Sequence, residues 1–328
     1  MKLFVYSYRQ QDEQPDFDAF SRETGIAYAA THLPPTPETA ALAEGCDAVS
    51  VFLTPVGREV LERWAGLSVT CVCARTIGYD YIDLDTCRSL GLRVCHALYP
   101  PEAVANYSLM LAMMLLRQVP YTMQSMRMQD YTLRGKLGRD LSSCTLGVVG
   151  TGRIGCTLAR NAHAMGADVL GFDQNRNPEA AAFLRYAGLE QLFRESDVLS
   201  LHCPSTAENY HLINQKTIGR MKEGALLVNT ARGDLIDTDA LIAGLESGRL
   251  GGAALDVLEE EHGLFYQDLS GVPIANRRMA VLRSFPNVIL TPHIAFYSAE
   301  SIHAMVGSVF SFLAEAALGD SSCYEVKL

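Results

Sequence analysis

Four short stretches of this chain carry residues able to bind an anion or move a proton: LHCPSTAENY (201–210), VNTARGDL (228–235), ALDVLEEEHG (254–263) and LTPHIAFY (290–297). Arg232 offers a planar guanidinium suited to bidentate capture of a carboxylate or to polarising a carbonyl. His293 is a candidate to exchange a proton with a substrate oxygen, and Pro292 restricts how the chain leaves the element before it. Glu259, Glu260 and Glu261 run directly into His262. A carboxylate beside an imidazole fixes its tautomer and favours its charged form, yet the same run is what a solvated acidic turn looks like. The residues alone leave that choice open. An arginine at a strand end is also a common surface ion pair, and a lone histidine is more often structural, so the reading rests on all four stretches together. No serine or cysteine stands out as a nucleophile.

These stretches need a scaffold that brings them to one edge. LGVVGTGRIG (146–155) is an apolar strand running into Gly150-x-Gly152-x-x-Gly155, followed by a helical segment through Met165. That context makes the glycine pattern specific: Gly150 for a tight turn, Gly152 for close backbone approach to a pyrophosphate, Gly155 for close packing of helix on strand. The phosphates are expected at the helix N-terminus. The next strand, ADVLGFD, ends at Asp173, eighteen positions beyond Gly155, near the spacing expected of a carboxylate that holds the adenosine ribose. An acidic residue there repels a 2′-phosphate, so NAD is expected over NADP, with Arg176 close enough to weaken the preference. Further strands are expected at 197–202, 225–230, 253–257 and 288–291, their carboxyl ends holding the four stretches, where open α/β sheets bind ligands.

An earlier series of short apolar runs lies at 3–7, 25–32, 47–52, 69–75 and 92–97, with Thr36-Pro37 as a helix start between the second and third. Strands alternating with helices predict parallel sheets. Tyr99-Pro100-Pro101-Glu102 stiffens the chain ahead of a buried helix containing 107–116 and marks a boundary. The expected architecture is α/β, with two Rossmann-like doubly wound parallel-sheet domains separated by a cleft: residues 1–99 with 297–328 form a discontinuous substrate domain, and 100–296 an NAD-binding domain.

A chain of 328 residues with 48% hydrophobic residues suits about two well-filled domains. Its net charge of −10 and the absence of a basic cluster argue against nucleic acid and against an electrostatic membrane footprint. The amino terminus reads as a strand rather than a signal peptide, and the run 107–116 is too short to span a bilayer. Nine cysteines without paired spacing suited to zinc read as reduced core residues of a cytoplasmic protein, with no metal site.

Together the segments ARTIGYDYID, YPPEAVANY, VVGTGRIG, HCPSTAENYHLI, VNTARGDLID, AALDVLEEEHGLFY and TPHIAFY resemble the NAD-dependent D-2-hydroxyacid dehydrogenases, and within them the D-lactate dehydrogenase branch. The resemblance covers nearly the whole chain. It implies a catalytic triad of Arg232, Glu261 and His293, since the family's glutamate lies five residues after the strand-end aspartate, here Asp256. Glu259 and Glu260 are then expected to be solvated turn carboxylates, and His262 a bystander. His262-Gly263-Leu264-Phe265 follows the lactate branch, whereas glycerate and phosphoglycerate dehydrogenases tend to place prolines there and formate dehydrogenases carry glutamine in place of Glu261.

The resemblance further implies that Arg153 and Ile154 meet the pyrophosphate, Cys203, Pro204 and Asn209 the adenosine side, and Thr230, Ala231 and Asp256 the nicotinamide. Ile77 and Gly78 would bind the substrate carboxylate through their backbone, with Tyr99 and Phe296 closing the pocket. The expected activity is NADH-dependent reduction of a 2-keto acid, pyruvate or a close analogue, to the D-2-hydroxy acid, with 2-ketoisocaproate or phenylpyruvate as larger alternatives. Some relatives act as NAD-sensing corepressors, but this chain has no low-complexity extension of the kind a partner-binding protein uses. The methionine-rich segment 104–128 and the family's habit predict a homodimer paired through the cofactor domain.

Overall fold

The computed structural model describes all of residues 1–328. The chain divides into two units, Met1–Pro100 with Tyr297–Leu328, and Pro101–Phe296. In the first, β1 (Lys2–Val5), α1 (Gln10–Thr24), β2 (Ala27–Ala30), β3 (Ala48–Val51), α2 (Arg58–Gly66), β4 (Cys71–Ala74), α3 (Leu84–Leu90) and β5 (Arg93–His96) build a five-stranded parallel sheet of order β2-β1-β3-β4-β5. The middle strands are buried on both faces, so they read as continuous apolar runs rather than alternating ones. Leu61, Trp64 and Cys87 pack on one face; Phe17, Val306, Phe310 and Leu313 pack on the other.

The second unit holds α4 (Glu102–Leu116), α5 (Val119–Arg127), β6 (Thr145–Val149), α6 (Arg153–Ala164), β7 (Asp168–Phe172), β8 (Arg185–Tyr186), α7 (Leu189–Glu195), β9 (Val198–Leu201), α8 (Gln215–Ile218), β10 (Ala225–Asn229), α9 (Thr238–Glu246), β11 (Leu250–Leu255), α10 (Arg277–Leu282) and β12 (Val288–Leu290). Its seven strands are parallel in the order β12-β11-β10-β9-β6-β7-β8. Leucines of α4 and α6 cover one face, and Phe193, Ile218, Leu241 and Leu282 cover the other, so both units are doubly wound. A cavity of about 170 Å³ lies at the amino ends of β10 to β12, lined among others by Leu115, Tyr121, Arg139, Gly224 and Asn287, at the edge opposite the chemistry-bearing loops.

Two expectations change. The helix start at Thr36-Pro37 is a turn followed by a single 3₁₀ turn at Ala40–Ala43, with Thr36 and Thr39 hydrogen-bonding each other instead of capping a helix. The cysteines are unpaired, but Cys323 is exposed and Cys156 and Cys203 are half-buried, so not all are core. As expected, the run 107–116 lies in the largely buried α4 and is too short to span a bilayer; α11 (Ala299–Leu318) is the single helix long and apolar enough to cross a membrane. Here it is a core helix: Phe310 stacks on Phe20 and meets Phe17 edge-on across α1. Beyond it Val326 N donates to Val94 O and Arg93 pairs with Glu325, fastening the tail to β5.

Candidate active site

In the second unit β6 lies between β7 and β9, the point where strand order reverses, and its carboxyl end carries the glycine turn. Gly150 adopts φ +90°, and a side chain on it would collide with the backbone of His202 and Cys203 at the end of β9. A Cβ on Gly155 would overlap the Gly150 carbonyl, so that glycine lets α6 start against its strand. Gly152 differs, because nothing lies within 4 Å of where its Cβ would stand. The absent side chain leaves open space at the helix N-terminus, a cradle that fits the pyrophosphate of a dinucleotide. Arg153 and Ile154 form the first turn of α6 beside it, Arg153 exposed and Ile154 half-buried.

Asp173, just past β7, has its carboxylate fixed by its own chain: Oδ2 accepts from Thr151 N (2.6 Å) and Oγ1 (3.3 Å), and Oδ1 from Asn175 N (2.9 Å). The carboxylate is thereby tied to the glycine turn. Arg176 lies over the Tyr186 ring, 5.4 Å from its centroid. After β9, Asn209 staples the loop 203–209, accepting from Thr206 N (2.7 Å) and donating to Pro204 O (2.7 Å), with Cys203 Sγ 3.8 Å away. His202 bonds Ser200 Oγ (2.8 Å), and burial pushes its pKa down to about 4, so the ring is neutral at pH 7.

At the end of β10 the fully buried Asn229 accepts from Ala231 N (3.0 Å) and donates to Arg232 O (2.8 Å), bending the chain so that Arg232 leaves the sheet edge. Thr230 Oγ1 bonds Ser108 Oγ of α4 (2.7 Å), and Arg232 Nη1 donates to Ala231 O (2.7 Å). A side chain on Gly233 would collide with the Leu258 carbonyl and Glu259 N, so the arginine turn and the glutamate turn touch backbone to backbone.

Glu261 and His293 meet: Nδ1 to Oε1 is 2.6 Å, while Glu261 Oε2 accepts from Leu258 N (2.8 Å). His293 has φ +53°, a left-handed conformation. Asp256 holds it there. Its buried carboxylate accepts from Thr291 Oγ1 (2.5 Å), Ile294 N (2.9 Å) and Ala295 N (2.8 Å), and its carbonyl accepts from His293 N (2.7 Å). Burial raises the Asp256 pKa, against the lowering effect of those donors. The Tyr266 hydroxyl donates to the His293 carbonyl (2.6 Å), and the Phe296 ring stands edge-on to the imidazole, 6.5 Å between centroids.

Glu259 is not the solvated carboxylate expected. It accepts from Thr238 N (2.8 Å), Thr238 Oγ1 (2.5 Å) and His211 Nε2 (2.7 Å). Glu260 and His262 are exposed. The sequence alone does not single out Asn229, Ser108, His211 or Tyr266; only Asn229 carries a signal there, as an amide closing an apolar strand.

Ile77, Gly78 and Tyr99 belong to the first unit. Ile77 and Gly78 are half-buried in the loop after β4, where Thr76 Oγ1 donates to Gly78 O (2.6 Å) and bonds Tyr81 OH (2.8 Å). Beneath that loop Arg75, wholly buried, donates to Glu13 Oε1 (3.0 Å), Ser50 Oγ (2.9 Å), Tyr6 O (2.9 Å) and Ser7 O (3.1 Å). An arginine closing the apolar strand CVCA is the sequence signal of this pair. Tyr99 is buried within the unit.

Residues 109–295 match the family model described as D-isomer specific 2-hydroxyacid dehydrogenase, NAD binding domain. The chain belongs to that family. This D-2-hydroxyacid dehydrogenase is 36% identical over 311 residues to an aromatic 2-oxoacid reductase of Clostridium sporogenes, covering 93% of each chain. It is 35% identical to the D-lactate dehydrogenase of Lactobacillus delbrueckii subsp. bulgaricus, covering 100% of this chain and 99% of that one. The crystal structure of a D-lactate dehydrogenase from Treponema pallidum superposes with a TM-score of 0.89 at 33% identity over all of both chains. The dehydrogenase is therefore an enzyme with NAD as its cofactor, and the open space at Gly152 fits the phosphates of that group.

Proposed function

We propose that the enzyme reduces a 2-keto acid to its D-2-hydroxy acid, with pyruvate as first candidate, using Arg232, Glu261 and His293. The observation that carries this is the 2.6 Å contact between His293 Nδ1 and Glu261 Oε1. With Nδ1–H donated to the carboxylate, Nε2 is the nitrogen left to give a proton to the substrate oxygen during reduction and to take it back in the reverse direction. The anionic glutamate stabilises the charged imidazole before transfer. Arg232 binds the substrate carboxylate and carbonyl and stabilises the developing oxyanion. NADH, when bound, supplies the hydride. Asp173 takes the adenosine ribose, Arg153 and Ile154 the pyrophosphate, and the loop holding Cys203, Pro204 and Asn209 the adenine side. Thr230, Ala231 and Phe296 border the reacting end, with Asp256 holding the histidine turn. For the first unit, taken by itself, substrate-side binding is proposed through the Ile77-Gly78 backbone and Tyr99.

His293→Ala is expected to lower kcat by about 10²–10⁴-fold while NADH binding, which depends on the glycine turn, stays near wild type. Unchanged kcat would overturn the assignment. A larger substrate is the second reading, favoured by the aromatic 2-oxoacid reductase among the relatives. A comparison of kcat/KM for pyruvate, 2-ketobutyrate, 2-ketoisocaproate, phenylpyruvate and oxaloacetate separates the two.

The working form is proposed to be a homodimer. Met110, Met123, Met126, Met128, Tyr131, Leu133 and Leu137 are all exposed on α4, α5 and the segment after them, the last two at 88% and 89%. Contiguous soft apolar surface of this kind marks an interface. Light scattering at micromolar concentration should give twice 35.8 kDa; a monomer there rejects it.

A further inference from the structure

The turn 258–261 carries two glutamate–histidine pairs pointing to different neighbours. Glu261 meets His293. Two residues earlier Glu259 meets His211, 48 positions away in sequence, at 2.7 Å, and Thr238 at the start of α9 through both its N–H and its hydroxyl. Glu259 is largely buried, its side chain 9% exposed. Burial raises its pKa, but the donors from Thr238 and His211 outweigh burial and hold it below the usual glutamate range.

His211 is itself fixed from several sides. Tyr210 stacks on its ring at 3.9 Å between centroids. Its N–H donates to Asp234 O (2.9 Å), two residues beyond Arg232, and its carbonyl accepts from Asn214 Nδ2 (2.8 Å). Ile213 and Ile236 form a bridge beside it. The Glu259 carboxylate thus joins the segment after β9, the segment after β10 and the glutamate turn. That turn offers little other freedom, because Leu258 and Glu259 lie against Gly233 and Leu258 N is the donor to Glu261 Oε2.

We infer that His211 and Glu259 are positioning residues for the reaction: they lock the turn whose other glutamate orients His293, and they fix it to the turn bearing Arg232. The inference rests on the proton-transfer reading of Glu261 and His293. Loosening the lock tilts the imidazole without touching the glycine turn, so it slows chemistry and spares cofactor binding. A shift near 1 Å in a reacting group costs up to about 100-fold in rate.

The test compares His211→Ala with His211→Gln, whose amide can still donate to Glu259, and runs Glu261→Gln alongside. For each, kcat, KM for the keto acid, the dissociation constant of NADH by fluorescence and the thermal midpoint are measured. Expected are a fall in kcat of about 10- to 100-fold for His211→Ala with the NADH constant within about twofold, and recovery of most of kcat in His211→Gln. If His211→Ala retains kcat, the inference is overturned. It is overturned equally if both variants lose kcat together with NADH affinity and thermal midpoint, since that marks a structural role alone. Should Glu261→Gln keep full kcat, the proton-transfer reading falls and takes the inference with it; a slow Glu261→Gln beside a fast His211→Ala removes the inference only.

Discussion

The carboxyl edges of the two sheets are fastened by different physics. In the first unit the loop bearing Ile77 and Gly78 rests on an ion pair sealed in the core, with Arg75 and Glu13 both inaccessible and four acceptors around one guanidinium. In the second unit the turns bearing Arg232 and His293 are held by buried polar side chains that gather neighbouring backbone N–H groups, Asn229 for one and Asp256 for the other. Neither device places a free charge at its own edge. The first unit thus carries loop backbone at its edge, and the second carries the polar side chains of Arg232 and His293. A buried pair braces a loop rigidly, whereas an acceptor of N–H groups sets the direction in which the next side chain points.

The largest expected effect follows from removing the sealed charge. Arg75→Met should cost about 3 kcal/mol, near the low end for breaking a buried pair, because Arg9 remains 2.9 Å from Glu13 as a partial partner. Chemical denaturation reads the loss, and NADH affinity of the folded protein should be unchanged because the glycine turn belongs to the other unit. A loss under 1 kcal/mol would mean that the pair is not what braces the first edge.

Mild acid should weaken the second unit through His202. Its folded pKa of about 4 lies below the ordinary value of 6.5, so the unfolded chain binds the extra proton as pH falls between these values. Stability present above pH 6.5 is lost toward pH 4, by about 3 kcal/mol. His202→Gln should flatten that part of the stability–pH curve, and an unaltered curve would show that the ring is hydrated.

A smaller effect is expected at the ribose end. Asp173→Ala should narrow the preference for NADH over NADPH by roughly tenfold, since the carboxylate that repels a 2′-phosphate is gone. A wild-type enzyme favouring NADPH would assign this corner to Arg176 instead. Smallest of all, Glu260→Gln should leave kcat within about twofold, because this exposed residue of the turn lacks the long-range partners of its two neighbours.

Much of this was legible from the chain alone, for reasons of range. The glycine turn, Arg232 and His293 announce themselves by residue type at the ends of apolar runs, and the alternation of strands and helices gives the two parallel sheets. Glu261 could be told from its neighbours only through the family's register. The sequence makes Glu259 look like a solvated turn carboxylate because its partners, Thr238 and His211, lie 21 and 48 positions away, and no local pattern records them. The two-residue β8 leaves no pattern in the sequence, since its pairing with β7, rather than its own composition, makes it a strand. The run 25–32 predicts a longer strand, but β2 pairs only over Ala27–Ala30, where the neighbouring β1 ends.

His293 occupies its left-handed backbone well only because Asp256 and Tyr266 hold the turn. Histidine tolerates that region better than most residues, and asparagine and glycine tolerate it as well or better. Substitution here therefore has two separable costs, one chemical and one conformational. A descendant that abandoned turnover while keeping this fold would find Asn or Gly at position 293 nearly neutral and a β-branched residue costly, so the conformational filter would outlast the catalytic one. In laboratory evolution toward a new reaction, the same filter narrows what can replace the imidazole to a few residue types before any chemistry is selected.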